Sequence, residues 1–236
     1  MRKISQGAQI DVSKKHQHDQ TDQFVYNSQK FIRLTLYLPF GILNLMDDES
    51  TFLNIQSIAI NLFATRGYEA VGVQEICNKA GIKKPTLYYH FGSKSGLLNQ
   101  IAQSKGQELL NTITEAASYE HDFIKSLTKL LKAEINFAQE NPDFYRLHSV
   151  LYNAPSQSES KQLYQPLLDK IRDCYQNFFL QSTKEIGNMK DKEALYSLLF
   201  QNNVISVVTN LLNNNLQATD QTIHQIIHSF IYGVVA

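Results

Sequence analysis

From residue 51 onward, apolar side chains recur at three- and four-residue steps. No stretch settles into the apolar–polar alternation, bounded by turn residues, that a half-buried strand requires. This periodicity predicts an all-α fold. Ile55, Ile58, Ala59, Leu62 and Phe63 form one face of a first helix, with Ser50 as its cap and Gly67 at its end. A short helix over Val73–Ala80 turns Val73, Ile76, Cys77 and Ala80 inward, and Gly81 breaks it. A second short helix from Lys84 to His90 buries Leu87 and Phe91. Ser93 caps a longer helix towards Ala117. Five more helices are expected: over 121–139, from Pro142 through Tyr152, over 163–184, from Asp191 to Leu212, and from Thr219 or Asp220 to about Val235.

Composition narrows the function. Of 236 residues 43% are hydrophobic and 19% charged, so a core is possible and wholesale disorder is excluded. Lys plus Arg number 22 and so do Asp plus Glu; a nucleic-acid binder relying on bulk positive charge is therefore excluded, and such a role must rest on local charge. Residues 51–98 supply it: Arg66, Lys79, Lys83, Lys84 and Lys94 stand against Glu69 and Glu75 only, whereas residues 99–236 are net acidic. Cys77 and Cys174 lack metal-type spacing and fit a reducing compartment. No apolar run reaches the roughly 18 residues of a membrane span, so a cytoplasmic protein with no membrane partner is expected. Residues 1–23 are polar and read as disordered. The apolar stretch 31–46 contains Pro39 and Gly41, and Met46 is a candidate true start. The domain reading is a disordered extension over 1–46, a DNA-binding domain over 47–104, and a helical domain over 105–236.

Two short helices joined by a glycine turn, after a longer one, have the geometry of a helix-turn-helix, although an ordinary αα-corner shows the same pattern. Cys77 supplies the small side chain needed where the helices cross, and Gly81 suits a left-handed turn. The residues 62–101, LFATRGYEAVGVQEICNKAGIKKPTLYYHFGSKSGLLNQI, resemble the DNA-binding domain of the TetR family of bacterial regulators. The matching marks are Phe63, Gly67-Tyr68, Ile76, Ala80-Gly81, Thr86-Leu87-Tyr88, His90-Phe91, Lys94 and Leu97. The resemblance implies a homodimeric regulator, usually a repressor, that a small molecule releases from a double-stranded, pseudo-palindromic DNA operator. It implies that Lys84, Pro85, Thr86 and Tyr89 face the major groove, with Lys83 beside them, and that Tyr88, His90 and Lys94 hold the phosphate backbone. Core packing is the alternative for Tyr88. Two departures stand out: Gly72 replaces the family's capping Ser or Thr before the second helix, and Lys83 replaces a serine before the recognition helix. Lys83 and Lys84 oppose the dipole of that helix unless phosphates lie nearby.

No glycine-rich phosphate loop and no nucleophile–base pair is recognisable, so neither an enzyme nor a cofactor is expected. His224 and His228 are spaced to clamp a metal but lack a third ligand, and no metal is expected. For the effector, the expected lining is Phe137, Tyr145, His148, Tyr152, Tyr175, Phe179 and Gln201. Their aromatic character, with few candidates for buried charge, suggests an apolar or aromatic ligand; a hydrogen-bonded core histidine is the alternative for His148. The last two helices are too apolar for one wet face, which suits a four-helix dimer interface including Ile227 and Phe230. The rival reading, favoured by Gly72 and the acidic cluster at 47–49, is a helical protein–protein interaction module that no longer reads DNA.

Overall fold

The computed structural model describes residues 41–182 and 190–234. Its elements are α1 (Gly41–Arg66), α2 (Val73–Ala80), α3 (Lys84–Phe91), α4 (Lys94–Ile101), a wider π turn (Ala102–Gly106), α5 (Gln107–Ala116), α6 (Phe123–Glu140), α7 (Pro142–Tyr152), α8 (Glu159–Ser182), α9 (Glu193–Leu212) and α10 (Asp220–Val234). No strand occurs among the described residues, as the periodicity predicts. None of their helices is long and apolar enough to cross a membrane. Residues 1–40, where disorder is expected, and the expected ends of two helices at 184 and Val235 lie outside the described residues.

The start of α1 departs from expectation. Ser50 does not cap it; the helix passes through Ser50 and begins at Gly41. Residues 42–66 hold neither Pro nor Gly, so nothing in the chain interrupts helical propagation. The segment 41–46 is thus helix rather than disordered extension. From Phe52 onward the chain packs as one compact unit, without a seam at 104/105. The π turn carries the chain continuously from α4 into α5 there. A Cβ at Gly106 would sit 2.4 Å from Leu167 Cδ2, so a side chain there would require the Leu167 side chain to move.

Other ends follow their sequence signals. Ser93 Oγ accepts from Gly96 N at 2.9 Å, Asp122 caps α6 through Lys125 N at 2.9 Å, and Gly81 adopts φ 67°. Asn141 does not cap α7; its side chain instead donates to Phe137 O, closing α6. Asp191 does not open α9 either, because it sits at φ 66° and the helix starts at Glu193.

The core beyond α5 centres on α6 and α8, with Phe123, Phe178, Phe179, Phe200 and Phe230 in edge-to-face and stacked contacts at 5.0–6.3 Å. Such rings supply large apolar areas with fixed mutual geometry. Ile227 and Phe230 belong to this interior, with 2% and 6% exposure, and so do not form an outer interface. Their face of α10 is taken up by the chain's own α6, α8 and α9. Outward-facing apolar side chains on these two helices are instead Leu195, Leu198, Leu199 and Tyr232.

Candidate nucleic-acid interface

Ile76, Cys77 and Leu87 are fully buried where α2 crosses α3, and Phe91 stacks on Phe52 of α1 at 4.8 Å. This scaffold fixes what α3 shows to solvent. Lys83, Lys84 and Pro85 are exposed, Thr86 is half-buried, and Tyr89 is 76% exposed. Tyr88 is 46% exposed, which removes core packing as its role. His90 lies half-buried between Tyr89 and Phe52, at 5.1 and 6.0 Å. Neither α2 nor α3 has a side-chain cap at its N-terminus, which leaves their positive dipole ends for an external anion, although at α3 Pro85 has no N–H and Thr86 N donates to Lys83 O at 3.0 Å.

The local charge excess resolves into particular residues. Arg66 pairs with Glu75. Glu69 accepts from Ser160 N at 3.2 Å and Oγ at 2.6 Å. Among the described residues Lys79, Lys83 and Lys84 have no ion-pair partner, and all three are exposed. The exposed basic residues of this region without an ion-pair partner are therefore these three lysines.

Lys94 departs from its expected role as a dedicated phosphate contact. Its Nζ donates to Tyr68 O at 3.0 Å and Val71 O at 3.1 Å, and lies 4.0 Å from the centre of the Tyr68 ring. An ammonium has three donors, so one N–H is left for a phosphate while two hold the α1–α2 loop. The ring beneath adds a cation–π attraction.

The seven residues expected around an effector divide into separate groups. Tyr145 and Tyr175 converge on Glu134: Tyr145 Oη donates to Oε2 at 2.7 Å, and Tyr175 Oη donates to Oε1. Glu134 is 2% exposed, which corrects the expectation of few buried charges. Burial pushes its carboxyl pKa up, against the two phenol hydrogen bonds that pull it down. Burial, and then Lys161, lower His148 to about 4, so the ring is neutral at pH 7; its Nδ1 bonds the Tyr164 hydroxyl at 3.1 Å. Tyr152 reaches Asn202 at 3.2 Å. Phe137 packs on Phe144, Phe179 joins the phenylalanine cluster, and Gln201 is buried. A cleft of about 310 Å³ between α1 and the start of α7 is lined by none of the seven.

Sequence reasoning missed Glu134, Glu69 and Ser160. Glu134 had a signal, because it continues the apolar stripe Leu127, Leu130, Leu131 and Ala138 at helical spacing. Glu69 and Ser160 had none, since a loop residue and a helix start 91 positions apart share no periodicity. His224 and His228 are exposed with ring centres 5.7 Å apart; no group of three potential metal ligands occurs among the described residues.

Residues 55–101 match the family model of bacterial regulatory proteins, tetR family. The chain is 34% identical over 89 residues to the HTH-type transcriptional activator FasR of Mycolicibacterium smegmatis, covering 38% of this chain and 41% of that protein. It is 29% identical over 133 residues to IcaR, the negative transcriptional regulator of the biofilm operon icaADBC in Staphylococcus aureus, covering 54% and 70%. The chain thus spans less than half of FasR and somewhat more than two thirds of IcaR. Among solved structures, a TetR family transcription regulator from Marinobacter aquaeolei superposes with a TM-score of 0.63 at 16% identity, over 80% of this chain and 97% of that one. FadR from Bacillus subtilis, in complex with stearoyl-CoA, gives 0.60 at 17%, over 78% and 98%.

Proposed function

The chain belongs to the tetR family of bacterial regulatory proteins, and on that premise we propose that it is a dimeric, cytoplasmic DNA-binding transcription regulator: a repressor released from a pseudo-palindromic operator by a small molecule. The observation that carries this reading is α3. A buried scaffold holds a short helix whose outer face offers Lys83, Lys84, Thr86, Tyr88 and Tyr89 beside two uncapped helix N-termini. Lysine donates to guanine edges, a threonine methyl packs on a thymine methyl, and the helix ends receive phosphates. The activity is one of binding, and no residue is assigned a catalytic role. Repression follows IcaR, while FasR is an activator; the sign of regulation is the part of the proposal that the relatives divide on.

Dimerisation rests on Leu195, Leu198, Leu199 and Tyr232, apolar side chains that α9 and α10 leave outside the protomer core. The effector enters the body around Tyr145 and Tyr175. It is largely apolar or aromatic and meets one polar centre at Glu134; the fold neighbour FadR is in complex with stearoyl-CoA, whose acyl chain is apolar while its coenzyme A part is polar and charged.

Gel-shift titration of DNA from upstream of the protein's own gene, with sedimentation of the same samples, tests the reading. A sequence-specific complex of two chains per site is expected. Leu199→Glu should give folded monomers that bind more weakly. A protein that shifts no DNA above non-specific competitor is the interaction module instead.

A further inference from the structure

The loop between α1 and α2 is gripped from two sides. Lys94, at the start of α4, holds the carbonyls of Tyr68 and Val71. Between them, Glu69 Oε1 takes both the backbone N–H and the hydroxyl of Ser160, in the first turn of α8. Burial pushes the Glu69 pKa up, but Ser160, backbone bonds and the Lys94 charge outweigh it and hold the carboxyl below its ordinary range. Glu69 is therefore an ionised cap, supplied to α8 from another part of the chain, where a carboxylate also meets the positive end of the helix dipole.

What α8 touches further along gives this bond its meaning. Leu167 lies against Gly106 at the π turn, a close approach of α8 to the run of α4 into α5. Next to it, Pro166 has no N–H and interrupts the helix ladder, leaving α8 softer at that point. Beyond, Tyr175 donates to Glu134 in the body. Ser160 and Tyr175 are about 22 Å apart along the helix, at about 1.5 Å per residue, with the Leu167 contact midway. A second head-to-body tie, Asn61 to Asp143 at 3.1 Å, runs to α7 and not to α8.

We propose that Glu69 is the positioning residue through which α8 sets the orientation of the reading head, and that an effector acting at the Tyr175 end works by loosening the Glu69–Ser160 bond. The effector clause rests on the regulator reading above; the mechanical coupling does not. Coupling of this kind needs an element with two arrangements that both ends bias, and that role falls, in this proposal, to α8 over its Leu167–Gly106 contact.

Hydrogen exchange on the full chain, without DNA, tests the coupling. Glu69→Ala should speed exchange about tenfold in segments 68–76 and 159–163, with exchange in α6 unchanged. Glu69→Gln, whose amide oxygen still accepts both bonds, should stay near wild type, whereas the shorter Glu69→Asp should behave like Glu69→Ala. In parallel, on DNA selected by the wild type from a random pool, Glu69→Ala and Ser160→Ala should each weaken binding about tenfold without altering base preference. The double variant should be no weaker than either single one. Unchanged exchange in Glu69→Ala, or single effects that add in the double variant, would overturn the proposal. If the wild type selects no DNA, the regulator reading and the effector clause fail, and the exchange result still decides the coupling.

Discussion

In the reading head, Lys83, Lys84, Thr86 and Tyr89 stand outward from a scaffold of Ile76, Cys77 and Leu87. In the helical body, two sets are turned inward and bonded among themselves, Glu134 with Tyr145 and Tyr175, and His148 with Tyr164. The head thus keeps its polar chemistry for a partner, and the body uses its own to fix which helices meet. Buried polar groups that find all their partners specify a packing, because every alternative leaves one of them unpaired at a cost. The head can therefore exchange surface residues at little cost in stability, whereas the body cannot exchange its interior.

Stability measurements break or sharpen this contrast. Phe200, fully buried against Tyr175, Phe179 and Phe230, should lose about 3–5 kcal/mol on replacement by Ala. Tyr89→Ala should stay within about 0.5 kcal/mol of wild type in the same urea titration. Comparable losses at the two sites would erase the distinction between head and body.

The next effect belongs to the body alone. His148 is lowered to about 4 by burial, so its contribution to stability is fully present above the ordinary histidine pKa of about 6.5. It is lost as pH falls through 4. The linkage corresponds to roughly 3 kcal/mol between pH 7 and below pH 4. Glu134 works with the opposite sign. Its raised pKa means stability that is present below the ordinary carboxyl range and lost as pH rises through the shifted value. Melting curves across pH should show His148→Gln flattening the acid limb and Glu134→Gln removing the loss towards higher pH. An acid limb unchanged in His148→Gln would show that the ring is not buried neutral.

A smaller effect sits at the join. Because Lys94 ties two loop carbonyls, Lys94→Ala should cost about 1–2 kcal/mol of stability. It should also weaken binding to all sequences alike, lowering the salt dependence by roughly one counterion per half-site. Binding loss with an unaltered melt would return Lys94 to a purely phosphate-facing role.

The same contrast explains what was legible in the sequence. From residue 51 onward helix existence was readable, since a 3.6-residue period needs only local information, and the head was readable in detail because Gly81, Cys77 and Ser93 each do a local job at a fixed spacing. The body was not. A stripe such as Leu127, Leu130 and Leu131 says that a face is buried without saying against what, so Ile227 and Phe230 read as interface although they belong to the core. The meeting of Glu134 with Tyr145 and Tyr175 depends on three helices 11 and 41 residues apart in the chain. Where α1 begins was hidden for a different reason: Ser50 is a good cap only if the helix stops there, and nothing before it makes the helix stop.

The most direct test of the central claim, that α3 reads base edges while its scaffold merely holds it, is a binding titration of wild type, Lys84→Ala and Thr86→Ala against an operator library at two salt concentrations. Each substitution should cost about 1–3 kcal/mol on the preferred site and relax discrimination at particular base pairs, with the melting temperature unchanged. If both variants kept every base preference of the wild type, α3 would not be the element that reads the operator.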